Sequence, residues 1–216
     1  MKIKTQEIFN FYSHLAGMIA AVIGTVFLTM KAGHSSSGLV TALIYGISVV
    51  FLFSASSLYH AFKKEENEIS FWRRMDKLAI FFMIAGTFTP VCYFYLDGAY
   101  KWSMIVFQWS LVGAGLIFQI FFPKAPRKLY ATIYIAMGWS GIFVIKQVLA
   151  NMTFAQGVLL LSGGVAFTIG GIIYAIKKPK MFPGIFSFHE LFHIMVLLGG
   201  TLHYVMIYGI YSNLAV

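Results

Sequence analysis

Seven long apolar runs with short connections constrain this chain more than any other feature of its sequence. The runs lie at 13–30, 39–62, 77–96, 102–122, 129–149, 155–176 and 188–210. Each approaches the roughly 20 residues that an α-helix needs to cross a bilayer. Charged residues make up only 11% of the chain, whereas soluble domains carry about 25%. The sequence therefore predicts an all-α integral membrane protein, a single domain over 1–216 built as a seven-transmembrane helix bundle.

The distribution of basic residues predicts how the bundle is oriented. Thirteen of the sixteen Lys and Arg residues lie at the amino terminus or in the second, fourth and sixth connections, which share one side of a seven-span topology. By the positive-inside rule that side is cytoplasmic, so we expect a cytoplasmic amino terminus and a carboxyl terminus outside. Contact of these loops with anionic lipid accounts for the net charge of +9. We expect no nucleic-acid partner.

Polar side chains that carry chemistry cluster at three ends of these runs. His60 lies in the last turn of the second run, with Ser56 one turn earlier on the same face. Asp76 opens the third run, and His189 and His193 lie on one helix face in the first two turns of the seventh. All three ends belong to the predicted cytoplasmic side. The topology therefore predicts that three histidines, a carboxylate and a hydroxyl converge at a similar depth.

This convergence favours a zinc site. Catalytic zinc commonly takes three protein ligands and leaves a fourth position for water. His60, His189 and His193 would supply the ligands, and Asp76 and Ser56 would hydrogen-bond to the water or to a ligand imidazole. A single histidine in a membrane segment more often makes an interhelical hydrogen bond, so the metal hypothesis depends on all of these residues meeting.

The segment His189-Glu-Leu-Phe-His193 also matches the HExxH pattern of zinc proteases, in which the glutamate is the general base. With the segment Leu96-Asp97-Gly98 also present, an intramembrane metalloprotease is an alternative, although the topology places Asp97 on the opposite side. Glu190 also fits a capping box, in which its side chain reaches back to the amide of Ser187. Both roles of Glu190 stay open at this point.

Two further histidines lie near the predicted site in sequence or in depth. His203 is ten residues beyond His193 and about 15 Å deeper at helical rise. We therefore expect it to make a hydrogen bond inside the bundle rather than to join the metal. His14, near the start of the first run, would line the rim of the site with Glu7 and Asn10 or make ordinary interfacial hydrogen bonds.

Together these motifs resemble those of the haemolysin III group, the bacterial branch of the progestin and adipoQ receptor family. The resemblance runs from Glu7 to about Tyr208 and is carried by Ser56-Ser-Leu-Tyr-His60, Asp76, His189-x-x-x-His193 and Glu7-x-x-Asn10-x-x-x-His14. It implies a seven-helix bundle with a zinc site near the cytoplasmic face. The same three histidines would ligate the metal, with Asp76 and Ser56 in supporting positions. Alkaline ceramidases are similar in these motifs.

The favoured hypothesis is a zinc-dependent hydrolase of a lipid amide or ester, acting in membrane-lipid homeostasis. Asp76 would act as base and then as proton donor, and Ser56 would hold Asp76 or water in place. The resemblance also implies a multi-pass protein of a bacterial plasma membrane, with membrane lipids as its partners. Two alternatives stay open: a haemolysin-type cytolytic protein, and a non-catalytic sensor or receptor whose helices are joined by zinc.

Overall fold

Helices form almost all of this protein in a computed structural model that describes residues 3–33, 35–65, 68–182 and 186–214. The α-helices are α1 Ile8–Ala32, α2 Ser36–Phe62, α3 Phe71–Tyr95, α4 Gly98–Phe121, α5 Arg127–Trp139, α6 Ile145–Asn151, α7 Phe154–Ile176 and α8 Phe188–Leu214. Within the described residues, six helices are long and apolar enough to cross a membrane, or seven if α5 and α6 form one bent span. The predicted all-helical membrane bundle is confirmed in this respect.

The fifth predicted span differs from a straight helix. After α5 the chain forms a short 3₁₀ turn, Ser140–Phe143, and α6 leaves at an angle of 66° to the segment before it. Gln108 of α4 stabilises the turn, because its Nε2 atom donates to the Ser140 hydroxyl at 2.7 Å and to the Met137 carbonyl at 3.3 Å. The apolar run conceals this bend, since the polar partner comes from another helix.

Helix packing brings four helix ends together at one end of the bundle. α1 packs against α2 and α8, α2 against α3, and α7 against α8. Serine residues mark where two helices begin: Ser35 accepts from the Gly38 amide of α2, and Ser70 accepts from the Arg73 amide of α3. The starts of α1, α3 and α8 lie beside the end of α2, where the candidate site is found.

Small residues on α7 allow α8 to approach closely. Gly163 faces the imidazole of His203, so that any side chain on this glycine would overlap the ring, and Gly170 faces Met195. Gly164, the next residue along α7, has open space around it. The glycines of α7 therefore differ in what they do, and Gly163 is the one that makes room for His203.

We expect Gly163→Ala to destabilise the protein by about 1–3 kcal/mol, because the added methyl group overlaps His203 in a packed interface. Gly164→Ala is the matched control and should leave stability unchanged or slightly raised, since alanine favours the helix. Thermal unfolding of both variants in the same detergent measures the difference. Equal melting temperatures would contradict this account of the α7–α8 interface.

The predicted orientation is testable because Cys92 is the only cysteine of the chain and is buried. A membrane-impermeant maleimide applied to spheroplasts should label Ala99→Cys, at the exposed start of α4, which is predicted to lie outside. It should label Lys124→Cys, in a predicted cytoplasmic connection, only after lysis. The reverse labelling pattern would contradict the predicted cytoplasmic position of the amino terminus.

Candidate metal centre

Three histidines from two helices meet at one end of the bundle. His60 comes from the end of α2, and His189 and His193 come from the first two turns of α8. One ring nitrogen of each lies within 4.8 Å of the others, and the Nε2 atoms of His60 and His189 are 3.3 Å apart. Two nitrogens that bind one zinc ion tetrahedrally at 2.0–2.1 Å lie about 3.3 Å apart. The three imidazoles therefore fit a small metal ion that prefers nitrogen ligands.

Glu7 orients the His60 ring. Its Oε2 atom lies 2.6 Å from His60 Nδ1, and its Oε1 atom accepts from Lys63 Nζ at 2.6 Å. Because a carboxylate only accepts, His60 Nδ1 is the donor, and this places the lone pair on Nε2, the atom that faces His189. A carboxylate that accepts from the outer nitrogen of a histidine is the arrangement typical of metal ligands.

Glu190 is held by contacts on both carboxylate oxygens. Its Oε2 atom accepts from the Ser187 amide at 2.8 Å, as the capping hypothesis predicts, and its Oε1 atom accepts from Asn10 Nδ2 at 2.9 Å. The side chain is buried, with 6% of its surface exposed. With both oxygens engaged, Glu190 serves the start of α8, and the geometry does not favour the general base of a protease.

Asp76 lies beside the three histidines but outside the group that could share a metal ion. It comes from the second turn of α3, interacts electrostatically with His60, and lies within hydrogen-bonding reach of the Ser56 hydroxyl. Arg73 and Lys77, on the same helix, also interact with it. The predicted carboxylate and hydroxyl are thus next to each other, one interaction away from the ligand set.

A cavity of about 680 Å³ extends from this site into the bundle. Asp76, His189 and His193 line it near the site, and Val91 and Val148 line it at greater depth. This volume lies in the range of small-molecule binding sites. Apolar walls beyond a polar end are suited to a molecule with one reactive polar group and an apolar tail.

His203 and Asp97 lie where their sequence positions indicate. His203 hydrogen-bonds the Leu160 carbonyl at 3.1 Å, the interior role expected for it. Asp97 is exposed in the connection before α4, 21 residues along α3 from Asp76 and hence about 30 Å away. Asp97 is therefore far from His189, and the two segments behind the protease alternative do not meet.

From the sequence, Glu7 and Asn10 are expected only at the rim, whereas the structure makes both of them direct supports of the site. A signal for this exists. Glu7, Asn10 and His14 recur at i, i+3 and i+7, which places them on one face of a helix. Glu7 is also one of only seven acidic residues. The spacing does not predict which residue each of them contacts, because those partners lie on α2 and α8.

Comparisons with known proteins agree with this description. A family model described as haemolysin-III related matches residues 2–204. The chain is 32% identical to the Hemolysin-3 homolog of Bacillus subtilis (strain 168), over 91% of this chain and 89% of that protein. It is 32% identical to Hemolysin-3 of Bacillus cereus, over 91% and 88% of the two chains. It is 23% identical to the Monocyte to macrophage differentiation factor of Homo sapiens, over 92% and 82%.

If the three histidines bind zinc, the His189→Ala/His193→Ala variant should lose it. Purified protein dialysed against zinc-free buffer should keep about one ion per chain as wild type and fewer than about 0.1 as the double variant, because one remaining ligand cannot hold the metal. His203→Ala removes a buried histidine outside the group and serves as the control. Mass spectrometry of the metal content measures all three, and undiminished zinc in the double variant would contradict the assignment.

Proposed function

This chain belongs to the haemolysin-III related family, and from that premise we propose a zinc-dependent hydrolase that cleaves an amide or ester bond of a membrane lipid. The proposal places it in a bacterial plasma membrane, with a role in membrane-lipid homeostasis. One observation carries it: three histidine nitrogens lie within 4.8 Å of one another, and two of these histidines, His189 and His193, line the polar end of an apolar cavity.

The donor set supports zinc as the metal. Three neutral imidazoles without a thiolate suit zinc, and a site with three protein ligands leaves one position open. Zinc bound there would lower the pKa of a water molecule towards about 7 and would polarise the acyl carbonyl. The protein's own part is to hold the three rings, and the contact between Glu7 and His60 does this for one of them.

Asp76 is suited to move protons in this reaction. Its carboxylate would take a proton from the attacking water and then give a proton to the leaving amine or alcohol, so that the acyl chain leaves as a fatty acid. Ser56, within hydrogen-bonding reach, would hold the carboxylate in one orientation. Asp76 can act in this way because it lies close to the ligands without being one of them.

The cavity supports a lipid as the substrate. Its lining continues from His193 to His203 along α8, which is about 15 Å at helical rise. Val91, Val148 and Leu160 line it at that depth. An acyl chain of a dozen or so carbons would bury its apolar surface there, at about 0.8 kcal/mol per methylene, while its carbonyl carbon stays near the histidines.

The names of the Bacillus relatives favour a second candidate, a cytolytic membrane protein. Lysis would have to follow from insertion of the whole bundle into a target membrane, which a protein with many apolar helices does not readily do after leaving its own. Dye release from vesicles by the purified protein separates the two functions. Release that persists in His60→Ala, with the same yield, would favour lysis over hydrolysis.

The decisive experiment incubates the zinc-loaded protein in detergent with a panel of N-acyl and O-acyl lipids and measures free fatty acid by mass spectrometry. We expect Asp76→Asn to lower the rate by about 10²–10⁴-fold while the zinc content stays at that of wild type. Asp97→Asn, an exposed carboxylate at the other end of α3, is the matched control and should behave as wild type.

Two results would contradict the proposed hydrolase function. The first is the absence of fatty acid from every lipid in the panel with zinc-loaded wild type. The second is full activity in Asp76→Asn. A different result would favour a sensor: zinc is bound, and Asp76→Asn still supports membrane-lipid homeostasis in cells. In that case the metal joins α2 to α8, and the protein does not turn over a substrate.

A further inference from the structure

One face of α1 carries every polar side chain that this helix presents to the site. Glu7, at the entry to the helix, Asn10 and His14 are followed at the same spacing by Gly17, and all four are buried. Tyr12, by contrast, is 58% exposed on the outside of the bundle. At its first turns α1 thus presents one buried polar stripe, and that stripe faces the inside of the bundle.

This face lies between the two helices that supply the histidines. α1 packs against both α2 and α8, whereas α2 and α8 make little backbone contact with each other within the described residues. At Gly17, Phe53 of α2 and Leu197 of α8 both come so close that an added Cβ atom would lie 2.9 Å from each side chain. At the level of Gly17, α1 therefore bridges α2 and α8.

Each polar residue of the stripe contacts a histidine of the group or its helical turn. Glu7 binds the outer nitrogen of His60 on α2. Asn10 donates to Glu190, which lies in the same two turns of α8 as His189 and His193. His14 stacks on His193, with ring centroids 3.7 Å apart and planes inclined by 21°.

The stack is the strongest sign of a dedicated role. Only 2% of His14 is exposed, and neither ring nitrogen makes a side-chain hydrogen bond among the described residues, although the His193 backbone lies within its reach. A leucine at this position would avoid the desolvation of a polar ring. What leucine cannot provide is a flat face, edge-on to Phe53 and parallel to the ring of His193.

We propose that Glu7, Asn10 and His14 are positioning residues of the metal centre, so that α1 sets the metal affinity although it supplies no ligand. Glu7 fixes the rotation and the tautomer of His60, Asn10 fixes the first turn of α8 through Glu190, and His14 fixes the ring plane of His193. This inference rests on the metal site of the proposed function, and it is independent of whether the site turns over a substrate.

The test measures zinc affinity by competition with a chromophoric chelator, and it records the visible absorption of the cobalt-substituted protein. Glu7→Gln should weaken zinc binding by about 10–100-fold, the usual effect of losing such a partner. Lys31→Gln removes an exposed charge in the last turn of α1, far from Glu7, and should bind zinc as wild type does. Ser13→Ala, beside His14 but outside the stripe, is a further control.

His14 allows a rescue experiment. His14→Ala removes the stacking face and should weaken zinc binding by about tenfold, within the range for supporting residues. It should also change the cobalt spectrum, since the ligand geometry relaxes. His14→Phe restores a flat ring at the same place and should return both readouts close to wild type. Thermal unfolding of the metal-free proteins shows whether a variant is merely unstable.

The outcomes distinguish this inference from the proposed function. If wild type binds zinc and neither Glu7→Gln nor His14→Ala alters the affinity or the spectrum, α1 does not position the ligands, while the metal site itself stands. If His14→Phe is as defective as His14→Ala, stacking is not what His14 provides, and that part of the proposal fails. Absence of zinc from wild type would overturn the metal site and this inference together.

Discussion

The hydrogen bond between Glu7 and His60 is the contact on which the polar end of this bundle depends. A buried carboxylate is expensive in an apolar bundle unless its charge is compensated, and here Lys63 and the imidazole of His60 both contact it, each at 2.6 Å. The same bond joins the start of α1 to the end of α2 and selects the nitrogen that His60 turns toward α8. One interaction therefore joins a helix pair and orients His60 within the histidine group.

A second constraint is the space that the bundle leaves open. Helices that packed at full density throughout would leave no cavity, yet this bundle leaves one of about 680 Å³. The bend after α5 contributes to it, since Trp139, Gly141 and Val144 line the cavity at the bend. The bend is held from both sides, by Gln108 of α4 and by Thr168 of α7, which accepts from Trp139 Nε1 at 2.9 Å. The cavity is thus supported by specific polar contacts.

Whether this protein binds a metal ion and whether it hydrolyses a substrate are two separate questions, and different residues bear on each. The three histidines, with Glu7 and Asn10 behind them, describe a place for a metal ion. Asp76 and the apolar space beyond it are what a hydrolase needs in addition, and a metal that only joined α2 to α8 would not require them. Relatives with very different names match nearly the whole chain, so membership of the family does not by itself select one activity.

The sequence by itself determined the spans, through hydrophobic length, and the set of polar residues that meet, since residues near alternate helix ends share a depth. It also placed Asp97 away from the site and suggested that Glu190 caps α8. Only the tertiary structure shows that Glu7 hydrogen-bonds His60 and that His14 stacks on His193. It also shows that the fifth span bends near Ser140. Periodicity along one helix shows which residues share a face, but the partner of that face depends on how helices pack, and packing joins residues far apart in the chain.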